Sequence, residues 1–167
     1  MENRLKAIIT ALAEAGVKFV IAGGVAAVLH GVERVTMDLD LAIEMNRDNL
    51  EGFLRVINRF GLTPRVPLPP QILLNPEKVR RIVEEKNAVV FTFLDVNFPI
   101  WHVDVFLRED HSYSELSKDA VTVRIEGSEI KVASIRKLID LKRRITPRRP
   151  KDVMDIEELS RLIGEEK

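Results

Sequence analysis

The chain has no cysteine. That excludes a disulfide framework, a thiolate zinc site, an iron–sulfur cluster and a cysteine nucleophile, and it suits a reducing, cytoplasmic setting. No apolar run approaches the roughly 18 residues of a spanning helix, so no membrane role is expected. The opening Met1-Glu2-Asn3-Arg4-Leu5-Lys6 mixes charges where a signal peptide would need an apolar stretch of about 7 to 15 residues, so no secretory leader is expected either. Charge of one sign is lacking too, since 26 Lys and Arg balance 26 Asp and Glu. A surface that is a nucleic-acid footprint throughout is therefore disfavoured, while local patches remain open. Aromatic residues are sparse at 5% and read most simply as core. What remains is 167 residues, 46% apolar and 31% charged. These are the size and balance of one compact domain spanning 1–167, which can bury roughly 68 to 70% of its unfolded surface.

Hydrophobic periodicity predicts a helix over Asn3 to Glu14, a strand over Val17 to Ala22, a break at Gly23-Gly24 and a short helix over Val25 to His30. Thr36 to Glu44 alternates, with Met37, Leu39, Leu41 and Ile43 on one face and Asp38, Asp40 and Ala42 on the other. Asn46 caps a helix to about Phe60, Thr63 to Pro70 reads as a connection, and Asn75-Pro76 opens a helix to Lys86. Strands follow at Ala88 to Leu94 and Ile100 to Leu107, then a pair at Ala120 to Glu126 and Glu129 to Ala133. Ser134 caps a helix to about Ile145, and a basic proline-containing loop leads to a last helix over Lys151 to Ile163. No internal repeat is visible. Strands and helices do not alternate regularly, and the early glycines lack a third at dinucleotide-binding spacing. An α+β domain with a mixed sheet flanked by helices and a C-terminal helical pair is expected, its core over about 17–107 and its C-terminal strand pair and helices over about 120–163.

The chemistry-bearing residues concentrate before residue 45. Asp38 and Asp40, two apart on a strand, leave the same face, so their oxygens can reach one hard cation. Without a cation, two carboxylates this close repel and one pKa rises. Alone, such a pair reads more simply as a solvated strand face. Gly23-Gly24, opening a helix, can bring backbone N–H groups to a phosphate chain, and Arg34 adds positive charge. A third acid, Asp104, shares a strand face with His102 and Phe106 between Val103 and Val105, where burying it is costly unless it meets a cation or a donor. It is a candidate third ligand or general base.

Together these residues resemble the DNA polymerase beta-like nucleotidyltransferases, whose pattern is an apolar strand, Gly-Gly or Gly-Ser, a short helix, an Asp-x-Asp strand and a later acidic strand. Gly23-Gly24-Val25-Ala26 through Arg34-x-Thr36-x-Asp38-x-Asp40 is most similar to the AbiE-type abortive-infection toxin branch, that of type IV toxin–antitoxin systems. The helix carrying Lys142, the turn Arg148-Arg149-Pro150-Lys151-Asp152 and Asp155 resemble that branch's later motif. The superfamily often has serine where this chain has Gly24.

The resemblance implies that Asp38, Asp40 and Asp104 hold Mg²⁺ (or Mn²⁺) and are catalytic. It implies equally that Gly23, Gly24, Arg34, Thr36, Lys142, Arg149, Lys151 and Asp152 bind a nucleoside triphosphate. Between Lys131 and Lys151 nine basic residues face one acid, Asp140, an excess suited to phosphate or to an RNA backbone, or else to a solvated helix face. Aromatic interleaving is slight there, so base stacking is not indicated. The implied activity is transfer of a nucleoside monophosphate to an RNA end or a protein hydroxyl, in a toxin with an antitoxin partner. The alternative is a catalytically inactive relative that binds or regulates.

Overall fold

The computed structural model describes residues 3–165. The ends of the 1–167 domain expectation, and with them Met1 and Glu2 of the leader reading, lie outside the described residues. In chain order the elements are α1 (Asn3–Glu14), β1 (Phe19–Ala22), α2 (Gly23–Leu29), β2 (Asp38–Ile43), α3 (Arg47–Arg59), β3 (Leu62–Pro64), α4 (Pro76–Lys86), β4 (Val90–Asp95), β5 (His102–Phe106), α5 (Tyr113–Ser117), β6 (Val121–Ile125), β7 (Ser128–Val132), α6 (Ile135–Arg143) and α7 (Pro150–Glu165). The strands form one seven-stranded sheet in the order β3-β4-β5-β2-β1-β7-β6. It is mixed: β2 runs parallel to β5 and β1 to β7, and the other pairs are antiparallel.

Alternation decides which face meets the core. Leu39 and Leu41 of β2 lie beside Val103 and Val105 of β5, which in turn pair with Phe93 and Phe91 of β4. All are buried, and Phe53 of α3 meets Phe93 edge to face at 5.8 Å. α3 is held at its start by Asn46, whose side chain accepts from the Asn49 amide. The opposite face carries the acids.

One local device braces the end of β4. Buried Asp95 accepts from the amides of Asn97 and Phe98, at 3.0 and 3.2 Å, and from Arg4 at 2.7 Å. Burial pushes its carboxyl up, but these donors outweigh it and hold it below the usual carboxylate range. The six-residue connection that follows leads into β5, whose register sets Thr92 opposite Asp104.

Three expectations need correction. Thr63 to Pro70 is not wholly a connection, because Leu62–Pro64 pairs with β4 as an edge strand, the place in a sheet where a proline costs no ladder bond. A short 3-10 turn, Pro70–Leu74, then buries Leu73 before α4. Between residues 107 and 120, where no element is expected, Ser112 caps the five-residue α5, which buries only Leu116 and is too short to show a period. Gly23 and Gly24 belong to the first turn of α2 rather than preceding the helix.

Candidate active site

β2 and β5 bring the acids together. Their register sets Asp40 beside Asp104 and Asp38 beside His102, so all four side chains leave the same sheet face. Antiparallel pairing sets Ala22 opposite Asp40, which places Gly23 against the Asp40 carboxylate. Gly23 has φ +61°, and a Cβ there would stand 1.9 Å from Asp40 Oδ2. Both conformation and space demand glycine. At Gly24 a Cβ would meet Thr36 Oγ1 at 2.8 Å and Arg34 Cζ at 3.3 Å. Thr36 thus fills the space that a serine side chain would need.

Asp40 opens onto the cleft yet is closely surrounded by protein. Its carboxyl is pushed up to about 7, first by burial, then by the charges of Asp104 and Asp38, with Lys142 and Lys151 pulling it back. Its two neighbours are tethered elsewhere. Asp38 Oδ1 lies 2.5 Å from His102 Nε2, and Asp104 Oδ1 accepts from the Thr92 hydroxyl at 2.5 Å.

The facing wall comes from α6 and α7. Lys142 is buried, with Nζ 2.7 Å from Asp155 Oδ2 and 3.9 Å from Asp152 Oδ1. Asp155 also takes Arg34 Nη1 at 2.5 Å, so one buried acid holds two cations. Asp152, fully buried, accepts from Arg149 Nε at 2.7 Å, Nη2 at 3.0 Å and the backbone amide at 3.2 Å. Burial pushes Asp152 up, but Arg149 outweighs it and keeps the carboxyl low. The amide contact is also the reciprocal half of a capping box opening α7.

A cleft of about 310 Å³ is lined by Gly23, Gly24, Arg34, Thr36, Asp38, Asp40, Asp104, Lys142, Arg149, Lys151 and Asp152, together with an apolar floor. Every residue that the resemblance implies to hold metal or nucleotide therefore lies on one cavity. The floor residues Val89, Val90, Phe106, Leu138, Leu141 and Ile145 were missed, because helical and strand periodicity assigns such side chains to core. Asp155, named within the later motif, was given no role of its own. Its spacing from Asp152 on one helix was the available signal.

The donor set suits a hard divalent cation: three carboxylates and no sulfur ligand. The raised pKa of Asp40 is the strain such a charge would relieve. Among the described residues no three acids or imidazoles already converge within bonding reach of one point. Asp38 and Asp104 each have one oxygen engaged, by His102 Nε2 and by the Thr92 hydroxyl.

Comparison with known proteins places the fold and the family. A search of curated proteins found no match. Among solved structures, the chain is similar to the lincosamide antibiotic adenylyltransferase LnuA in its lincomycin-bound form, with 14% identity, a TM-score of 0.65, and coverage of 97% of this chain and 98% of that one. It is similar to ANT(2")-Ia in complex with adenylyl-2"-tobramycin, with 15% identity, TM-score 0.61, and coverage of 97% and 88%. An antigenic nucleotidyltransferase-like protein from Paracoccidioides brasiliensis matches at 17% identity and TM-score 0.57, over 96% and 77%. At such identities the likeness shows the nucleotidyltransferase-like fold. The model of the family described as "Nucleotidyl transferase AbiEii toxin, Type IV TA system" matches residues 7–167. The chain belongs to that AbiEii family and is a nucleotidyltransferase of the DNA polymerase beta-like superfamily.

Proposed function

We propose that this cleft transfers a nucleoside monophosphate from a nucleoside triphosphate to an RNA end or a protein hydroxyl, using Mg²⁺ (or Mn²⁺) held by Asp38, Asp40 and Asp104. The observation that carries the reading is the parallel pairing of Asp40 with Asp104, with Asp38 on the same face, opposite a wall of cations in one cleft. Bound divalent cations would offset charge at the α-phosphate and the leaving pyrophosphate and make the acceptor hydroxyl easier to deprotonate.

The chain's own groups do the positioning. Arg34, Lys142, Arg149 and Lys151 receive the phosphate chain, with the backbone at Gly23 and Gly24 leaving room for close approach. Asp155 holds Arg34 and Lys142, and Asp152 holds Arg149, so these cations are oriented before a nucleotide arrives. Asp104 stands ready as third ligand or as the base for the acceptor proton. The apolar floor keeps water from part of the cleft.

A toxin working in the cytoplasm beside an antitoxin partner is the form that family membership favours. Among the described residues no helix is long and apolar enough to cross a membrane. Labelled nucleoside triphosphates offered with RNA and with cell lysate test the reading. Label should pass to RNA or to a protein when Mg²⁺ or Mn²⁺ is present and should fail to pass with Asp40→Asn. Nucleotide binding without transfer in any combination would favour the inactive, regulatory alternative.

A further inference from the structure

His102 lies outside the cleft lining, yet it touches one of the cleft's acids. As the parallel partner of Asp38 it leaves the same sheet face, and its Nε2 stands 2.5 Å from Asp38 Oδ1. Its other nitrogen, Nδ1, stands 3.4 Å from Arg65 Nη2. A guanidinium has only donors, so the nitrogen facing it accepts. The remaining proton therefore sits on Nε2 and is donated to Asp38. The order Arg65, His102, Asp38 thus selects a tautomer and commits one oxygen of the carboxylate.

We propose that His102 is a positioning residue for the metal ligand Asp38, with Arg65 selecting the tautomer that does it. The physical need is plain. Asp38 and Asp40 leave one strand face two residues apart, and repulsion would leave the outer carboxylate free to swing among rotamers. A hydrogen bond to Oδ1 fixes the carboxylate plane, and Oδ2 keeps no protein partner among the described residues. Thr92 does the corresponding thing for Asp104, holding Oδ1 and leaving the second oxygen. Groups that hydrogen-bond a ligating carboxylate set its orientation, and losing one typically weakens metal affinity by about 10- to 100-fold. This inference rests on the metal-dependent reading above.

The test uses the full chain and Mn²⁺ alone, with affinity measured by electron paramagnetic resonance titration and unfolding temperature measured in metal-free buffer. His102→Gln places an amide N–H near the position of Nε2, whereas His102→Asn has an N–H that falls short of Asp38. His102→Asn should weaken Mn²⁺ binding by about 10- to 100-fold. His102→Gln should restore most of that loss at the same unfolding temperature. Arg65→Ala, at an exposed side chain, should give a smaller loss. Equal Mn²⁺ affinity in the wild type and both His102 variants overturns the role of His102 while leaving the metal reading standing. A loss shared equally by Gln and Asn, and tracking a fall in unfolding temperature, shows a structural histidine and also overturns it. A wild-type chain that binds no Mn²⁺ overturns the metal reading and this inference together.

Discussion

Asp40→Asn keeps the size of a side chain and removes the charge its neighbours resist. In the folded protein that carboxyl is pushed up to about 7 by burial and by the Asp104 and Asp38 charges, against an ordinary value of 3.8. Between these two values the unfolded chain has released the proton and the folded protein still holds it. The unfolded state then binds fewer protons, so stability falls as pH rises and levels off above the folded value. Each pH unit in that window is worth about 1.4 kcal/mol. Going from about pH 5 to about pH 8, the metal-free wild type should lose about 3 kcal/mol through Asp40, a loss that the variant does not suffer. For a chain of this length that is a relative shift of roughly 6 to 12 °C in the unfolding midpoint. Thermal unfolding in chelator across this pH range reads it directly. Added Mg²⁺ should stabilise the wild type at the upper pH and leave the variant unmoved. Wild-type and variant curves that stay parallel from pH 5 to 8 would refute both the raised pKa and the crowding of charge behind it.

Lys142→Ala removes a buried cation and leaves Asp155 to Arg34 alone. Turnover in the labelling assay should fall by about a hundredfold or more, and urea unfolding should show a loss of about 3 kcal/mol. Arg144 pairs with Asp140 with both side chains half-exposed, so Arg144→Ala should cost under about 1 kcal/mol and little turnover. Equal losses at Lys142, Arg143 and Arg144 would mean a diffuse basic surface instead. Gly24→Ser should weaken triphosphate binding, because the new Cβ meets Thr36 Oγ1 at 2.8 Å. Adding Thr36→Ala clears that atom, so the double variant should bind more tightly than Gly24→Ser alone; simply additive losses would contradict the steric account.

The acid-bearing strands were legible because alternation is a strong signal. It assigned Asp38, Asp40 and Asp104 to strand faces opposite buried Leu39, Leu41, Val103 and Val105. That β5 is the parallel neighbour of β2 was not legible, since nothing local in either strand names a partner some sixty residues away. The edge strand Leu62–Pro64 was hidden by its length and its proline, and α5 by having one buried residue. Asp155 was named in the later motif, but its role was not legible. Three residues after Asp152 and four before Leu159 it lies on the buried face of α7, but nothing local shows that Arg34, 121 positions earlier, and Lys142 reach it there. Asp152, singled out as a nucleotide group, is taken up by Arg149 and the start of α7. In the proposed site it acts through Arg149.

This pairing pattern changes how the charge of the cleft should be understood. The basic run is a large excess when read along the sequence, but its members on the cleft wall arrive with their own acids. Asp155 serves both Arg34 and Lys142, and Asp152 serves Arg149. Among the described residues Lys151 has no acid partner, and it is exposed. The wall thus presents two uncompensated positive charges to three carboxylates, too few to keep all three comfortably ionised. That shortfall adds to burial, the larger cause, in pushing the Asp40 carboxyl up to about 7 even with Lys142 and Lys151 pulling against it. A triphosphate entering alone would worsen the imbalance, whereas divalent cations entering with it would offset its charge and, held by the carboxylates, release the Asp40 proton. The arrangement therefore favours joint binding of metal and nucleotide over binding of either one alone. Calorimetry in two buffers of different ionisation enthalpy should show proton release when Mg²⁺ and nucleotide bind together near pH 7, and none of that release in Asp40→Asn.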